Sequence, residues 1–134
     1  MSEALPRPAF GAPRLDLSVA RGPLAEPVLT RAIGTFAART ELPAERLGDL
    51  AEVIGALTTS LPGVRIRVQA RAEPTAGGLE LHVRDLPPGT ARSVLSDVRH
   101  GGLARLIAVV ADGVGVISSS RRGEALVVSF RPPL

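Results

Sequence analysis

An α+β two-layer sandwich, with a mixed or antiparallel sheet and helices packed on one face, is the fold class this sequence predicts. Three observations predict it. The first half holds two stretches whose apolar residues recur every three or four positions, the helical period. The second half is dominated by stretches in which apolar and polar residues alternate, the strand period. The chain has 134 residues, a length that suits one domain around one core.

The elements follow in order. Residues 1–13 are Pro-rich and read as a flexible tail, so the single domain is expected over 14–134. LDLSVA (15–20) alternates as a strand with Leu15, Leu17 and Val19 on one face. From Pro27 to Arg39, Leu29, Ala32, Ile33 and Phe36 share a helical face, and Pro27 suits a first turn. Glu41-Leu42-Pro43 breaks that helix and starts another. There Leu47, Leu50, Ile54, Leu57 and Leu61 repeat at spacings of three and four until Pro62-Gly63. A hairpin is predicted from strands 64–71 and 79–85, with the loop EPTAGG (73–78) between them. After the loop DLPPGT, residues 91–100 form a short helix with Thr90 as N-cap and Gly101 at its end. A firmer helix follows near 102–111. Strands near 114–119 and 125–131 close the chain, joined by Arg121-Arg122-Gly123. The predicted inward set is Leu17, Ile33, Phe36, Leu50, Ile54, Ile66, Val68, Leu81, Val83, Leu106, Ile107, Val116 and Val128, with Phe130 facing Phe36.

Composition narrows the chemistry. There is no Lys, Asn, Trp, Tyr or Cys, and all 16 basic residues are Arg. Schiff-base chemistry, a P-loop lysine, thiolate metal sites and disulfides are therefore excluded. Two histidines, His82 and His100, leave little room for a metal cluster or a histidine-based triad. Thirteen carboxylates interleave with the arginines and hold the net charge to +3. No apolar run approaches the roughly 20 residues that span a bilayer. The first residues carry three prolines and no apolar segment of the signal-peptide kind, so the expected location is the cytoplasm.

One surface stands out. Alternation projects Arg65, Arg67, Arg71, Arg84 and His82 together on the outward face of the hairpin, with Glu80 among them. One reading is a solvated face with cross-strand pairing to Glu80, and His82 a surface residue. The other is a docking face for an acidic protein. Nucleic acid fits less well, because the chain's aromatic residues are Phe10, Phe36 and Phe130 alone, too few for a stacking platform.

The element order and several local phrases resemble the histidine-kinase-like ATPase superfamily, in particular its anti-sigma-factor serine/threonine kinase branch, from Leu15 to Pro132. That family carries a helical Glu followed four residues later by a magnesium-holding Asn. Here Glu52 matches the acid, Ala56 stands in place of the Asn, and Ser60 stands where a His often sits. The family's Asp-x-Gly-x-Gly, whose Asp reads adenine, corresponds to Asp85-Leu86-Pro87-Pro88-Gly89, with Pro87 for the first Gly. Its Gly-x-Gly-Leu beside the phosphates corresponds to His100-Gly101-Gly102-Leu103. Its Gly-Thr before the last strand corresponds to Gly123-Glu124. The resemblance implies a vestigial nucleotide pocket at Asp85, Gly89 and Gly102, no catalytic or metal-ligating residue, and no cofactor. Each retained residue also has a plain reading: Asp85 and Gly89 as turn residues, Gly102 as helix entry, Glu52 as a solvated helix position. The implied function is a non-catalytic regulatory domain in bacterial signalling. It would bind a sigma factor, an anti-sigma antagonist or another signalling protein, or pair with itself. The alternative is a working ATP-dependent kinase, in which ATP and magnesium bind at a remodelled site.

Overall fold

A computed structural model describes residues 13–60, 67–96, 103–119 and 123–131. The fold is α+β, and the described residues form a five-stranded antiparallel sheet and four helices. Strand β1 (Leu15–Ala20) is followed by helix α1 (Ala25–Ala37), a single 3₁₀ turn (Ala44–Arg46) and helix α2 (Leu47–Ser60). Strands β2 (Arg67–Thr75) and β3 (Gly78–Leu86) come next, then helices α3 (Thr90–Ser96) and α4 (Leu103–Val110). Strands β4 (Gly113–Ser119) and β5 (Gly123–Phe130) complete the order. In space the strands run β1-β2-β3-β5-β4, so the chain leaves β3, passes through α3 and α4 to the far edge, and returns between the two. No helix among the described residues is long and apolar enough to cross a membrane.

The helices form where apolar spacing lets one stripe face the sheet. In α1 the buried stripe is Ala25, Leu29, Ile33 and Ala37, each four residues from the last. Phe36 lies beside that stripe and is half-buried against the core. In α2, Leu50, Val53, Ile54 and Leu57 are buried. Ala91 and Val94 of α3, with Leu103 and Ile107 of α4, join the same cluster. From the sheet come Val68, Ala70, Leu79, Leu81, Val83, Leu126, Val128 and Phe130. Of the predicted inward set, Leu17, Leu106 and Val116 are half-buried like Phe36, and Ile66 lies outside the described residues. All four helices and the inward side chains of the strands thus share one core.

The hairpin departs from its predicted form. The segment expected as the loop EPTAGG is mostly strand: β2 continues through Thr75, β3 begins at Gly78, and only Ala76-Gly77 turns. Gly77 takes a φ of 75°, a conformation that a two-residue hairpin asks of Gly. Pro74 is tolerated inside a strand because it lies beyond Ala72, the last residue of β2 that pairs with β1. Its missing N–H breaks no bond of that ladder.

Arg46 ties the helix layer to the end of the sheet. Its guanidinium donates to Asp49 at 2.9 Å, to the Val110 carbonyl at 3.0 Å and to Asp112 at 2.7 Å. It also lies 5.5 Å from the centre of the buried Phe130 ring. Phe130 therefore meets a cation, and Phe36 packs against the same core. Asp112 accepts a further bond from the Arg131 N–H at 2.7 Å. The start of α2, the end of α4 and the outer ends of β4 and β5 are thereby joined at one point.

Candidate functional site

Of the residues expected to form a nucleotide pocket, Asp85 and Gly89 flank the end of β3 and the start of α3, and Gly102 lies outside the described residues. Between β3 and β5 the register slips from Val83 to Leu86, which marks a bulge. Val83 and Leu86 are both buried although they are three positions apart, with two residues between them, so one extra residue must be accommodated. Asp85 is that residue. It is exposed, with a φ of 58°, a left-handed conformation that Asp tolerates better than most residues. It lies within β3, one residue before its end, and borders the outer side of the sheet. Gly89 sits at the start of α3, and Gly102 lies outside the described residues, as do His100, Gly101 and Arg65. Glu52 is exposed on α2, while Ala56 packs against the core.

Glu124, which stands for the Thr of the Gly-Thr turn, meets the start of α3. From the start of β5 its carboxylate is buried against the N-terminus of α3, where it accepts the Gly89 N–H at 2.8 Å and the Ala91 N–H at 2.9 Å. Those are donors that a helix start leaves without intrahelical partners. The cap of α3 is therefore Glu124, reached across the fold, rather than Thr90. The Gly89 hydrogen bond holds the Glu124 carboxyl below the ordinary carboxylate range. Burial opposes the shift, and the Ala91 N–H and nearby Arg92 reinforce it. Gly123 makes the approach possible: with a φ of 76° it starts β5, and a Cβ there would run into the Leu86 carbonyl. No local pattern in the sequence points to this contact, because the partners lie 33 and 35 residues apart.

A small gap lies between the helices and the sheet. The gap there is about 20 Å³, lined by Leu29, Ile33, Leu57, Leu81 and other apolar side chains. The larger hollow, of about 330 Å³, is on the opposite, solvent-facing side of the sheet. Arg71, His82 and Arg84 line one wall, Ile117 and Ala125 the other, and Asp85 borders it.

On that outer face Arg67, Arg71 and Arg84 stand as alternation predicted, yet their partners differ from the expected Glu80. Asp16, on the neighbouring β1, gathers three guanidiniums. Arg71 Nε lies at 2.6 Å, Arg14 Nε at 3.4 Å and Arg84 Nη1 at 3.7 Å from its carboxylate oxygens. The Arg71 hydrogen bond holds the Asp16 carboxyl below its usual range; Arg14 and Arg84 add to this, against a smaller desolvation effect. Arg67 instead bonds the Ser18 hydroxyl at 2.6 Å and the Ser18 carbonyl at 2.7 Å. Glu80 and Glu73 turn toward His82 Nε2, at 3.1 and 3.7 Å. His82 is only 9% exposed, which corrects its reading as a surface residue. It sits on the middle strand of five, opposite Arg71 on one side and Val127 on the other, and long neighbours cover it.

Among the described residues no three His, Asp or Glu side chains are grouped to hold a metal. No protein-family model matches the chain, and no curated protein is significantly similar to it.

Proposed function

We propose that this chain is a non-catalytic regulatory domain of the anti-sigma-factor-kinase type, acting in the bacterial cytoplasm by binding an acidic protein surface through the outer face of its sheet. The observation that carries this reading is the gathering of Arg14, Arg71 and Arg84 on the single carboxylate of Asp16. Among the described residues two positive charges in that cluster go unmatched, while Glu73 and Glu80 are turned to His82. Guanidiniums carry five donors each in a fixed fork, suited to carboxylates of a partner. A sigma factor or an anti-sigma antagonist is the partner that the family resemblance suggests.

Magnesium nucleotide does not fit the residues present. Ala56 offers a methyl group where the family has a metal-binding amide oxygen, and magnesium requires oxygen ligands. The Gly89 and Ala91 donors already serve Glu124, whose negative charge would repel a phosphate.

The test has two arms. In calorimetry with millimolar ATP and magnesium, no magnesium-dependent binding is expected. A ligand at 100 times its dissociation constant would stabilise the fold by about 2.7 kcal/mol, and a shift of that size promotes the kinase reading. In capture from the native cytosol, the Arg71→Gln, Arg84→Gln double variant is expected to lose a partner that the unaltered chain retains at low salt and releases as salt rises. Equal capture by both chains would remove this face from the proposal.

A further inference from the structure

We propose that two copies of this chain pair edge to edge through β4, antiparallel, so that their sheets join into one of ten strands. Among the described residues β4 is hydrogen-bonded to β5 alone and forms one edge of the sheet. Every second backbone N–H and C=O on its other side therefore has no strand partner among the described residues. Sheet edges are ordinarily guarded by charge, proline, a bulge or a covering element. The opposite edge follows that rule: β1 carries Asp16 and its arginines. Strand β4 does not. It reads GVGVISS, with neither charge nor proline, and its register with β5 is unbroken over seven residues. Along this edge Ile117 is 55% and Val114 43% exposed.

The sequence of β4 suits a second copy of itself. Antiparallel self-pairing about a twofold axis sets each residue opposite another residue of the same strand, so a charged strand risks facing its own sign. Here there is no charge to repel. Shape adds a register. Ile117 and Gly115 lie on the outward face of the strand, and nothing stands within 4 Å of where a Cβ on Gly115 would be. The register centred on Val116 places each Ile117 opposite the other copy's Gly115, so the exposed side chain fills that open space. On the inner face the same register sets Val116 against Val116 and Val114 against Ser118. The arginine cluster lies at the far edge of each sheet and stays accessible.

Sedimentation equilibrium of the full chain tests the pairing. The expected mass is that of two chains, halved by Ile117→Lys with the circular dichroism unchanged. Because the chain has no cysteine, a single introduced thiol reports the register independently of that variant's folding. Under oxidation Val116→Cys is expected to give a disulfide-linked dimer, with the two Cα atoms within bridging range, and Val114→Cys is not. A monomer at every concentration up to the solubility limit, a dimer indifferent to Ile117→Lys, or equal cross-linking at 114 and 116 would overturn the proposal.

Discussion

The outer face of the sheet consists of two unlike surfaces that meet between β3 and β5. From β1 to β3 it presents Asp16, Arg67, Arg71, Glu73, Glu80, His82 and Arg84. From β5 to β4 it presents Ala125, Val127, Ser129, Gly113, Gly115 and Ile117. The inner face has no such division. Leu81 of β3 and Leu126 of β5 are equally buried, in one cluster with the helices. The contrast teaches where the sequence is constrained by folding and where it is not. Burial demands apolar residues along the whole inner face, whereas the solvent face is at liberty to differ from strand to strand. A charged half and a neutral half on that free face are therefore features that interactions, rather than the core, have to explain.

The largest expected effects test the uniform side of this contrast. Leu81→Ala and Leu126→Ala should each cost about 2–5 kcal/mol in urea unfolding, from lost burial and the cavity left behind. A cost at Leu126 far below that at Leu81 would show that the division runs through the core as well.

A smaller effect is expected at Glu124, which joins β5 to the helix layer. Glu124→Gln turns an amide NH₂ toward backbone donors and should lower the melting temperature at pH 7. The carboxyl pKa is lowered by folding, so its stabilisation is complete above the unfolded pKa and fades as pH falls through the folded one. The gap between unaltered chain and variant should thus begin to narrow near the unfolded carboxyl pKa, about 4.3, and close only below the lowered folded one. A gap that is constant with pH would mean that the carboxylate charge plays no part.

The smallest effect is expected on the charged half. The Arg71→Gln, Arg84→Gln double variant should change stability by about 1 kcal/mol or less, since these pairs are partly solvated. A loss as large as that of a core substitution would mean that the arginines are there to hold β1 to the sheet.

Much of the fold was legible because periodicity reports burial. The five strands and four helices fall where apolar spacing places them, and the inward residues of β2 and β3 have the predicted parity. Errors arose where two local rules conflicted. Pro74 and the pair Gly77-Gly78 read as a loop, although an open ladder position accommodates the proline and a two-residue turn needs only Gly77. Parity placed His82 outward correctly, but exposure depends on neighbouring strands, which one segment does not reveal. The site was less legible still. Glu124 and Arg46 act through partners 33 to 66 residues away, and Asp16 gathers Arg71 from 55 residues away. Such contacts leave no trace in local spacing.

Arg46 also bears on how the fold is kept over time. Its bond to Asp112 spans 66 residues and links the first half of the chain to the last two strands. The hairpins β2–β3 and β4–β5 close short loops, which order at a lower entropic cost than a closure of that length. On this reasoning the clasp forms late, after the barrier to folding has been crossed. Contacts of that kind govern the rate of unfolding and leave the rate of folding nearly untouched. Arg46 is then a latch on the lifetime of the native state, to be seen in the unfolding limb of a chevron plot for Arg46→Ala, with the folding limb unmoved.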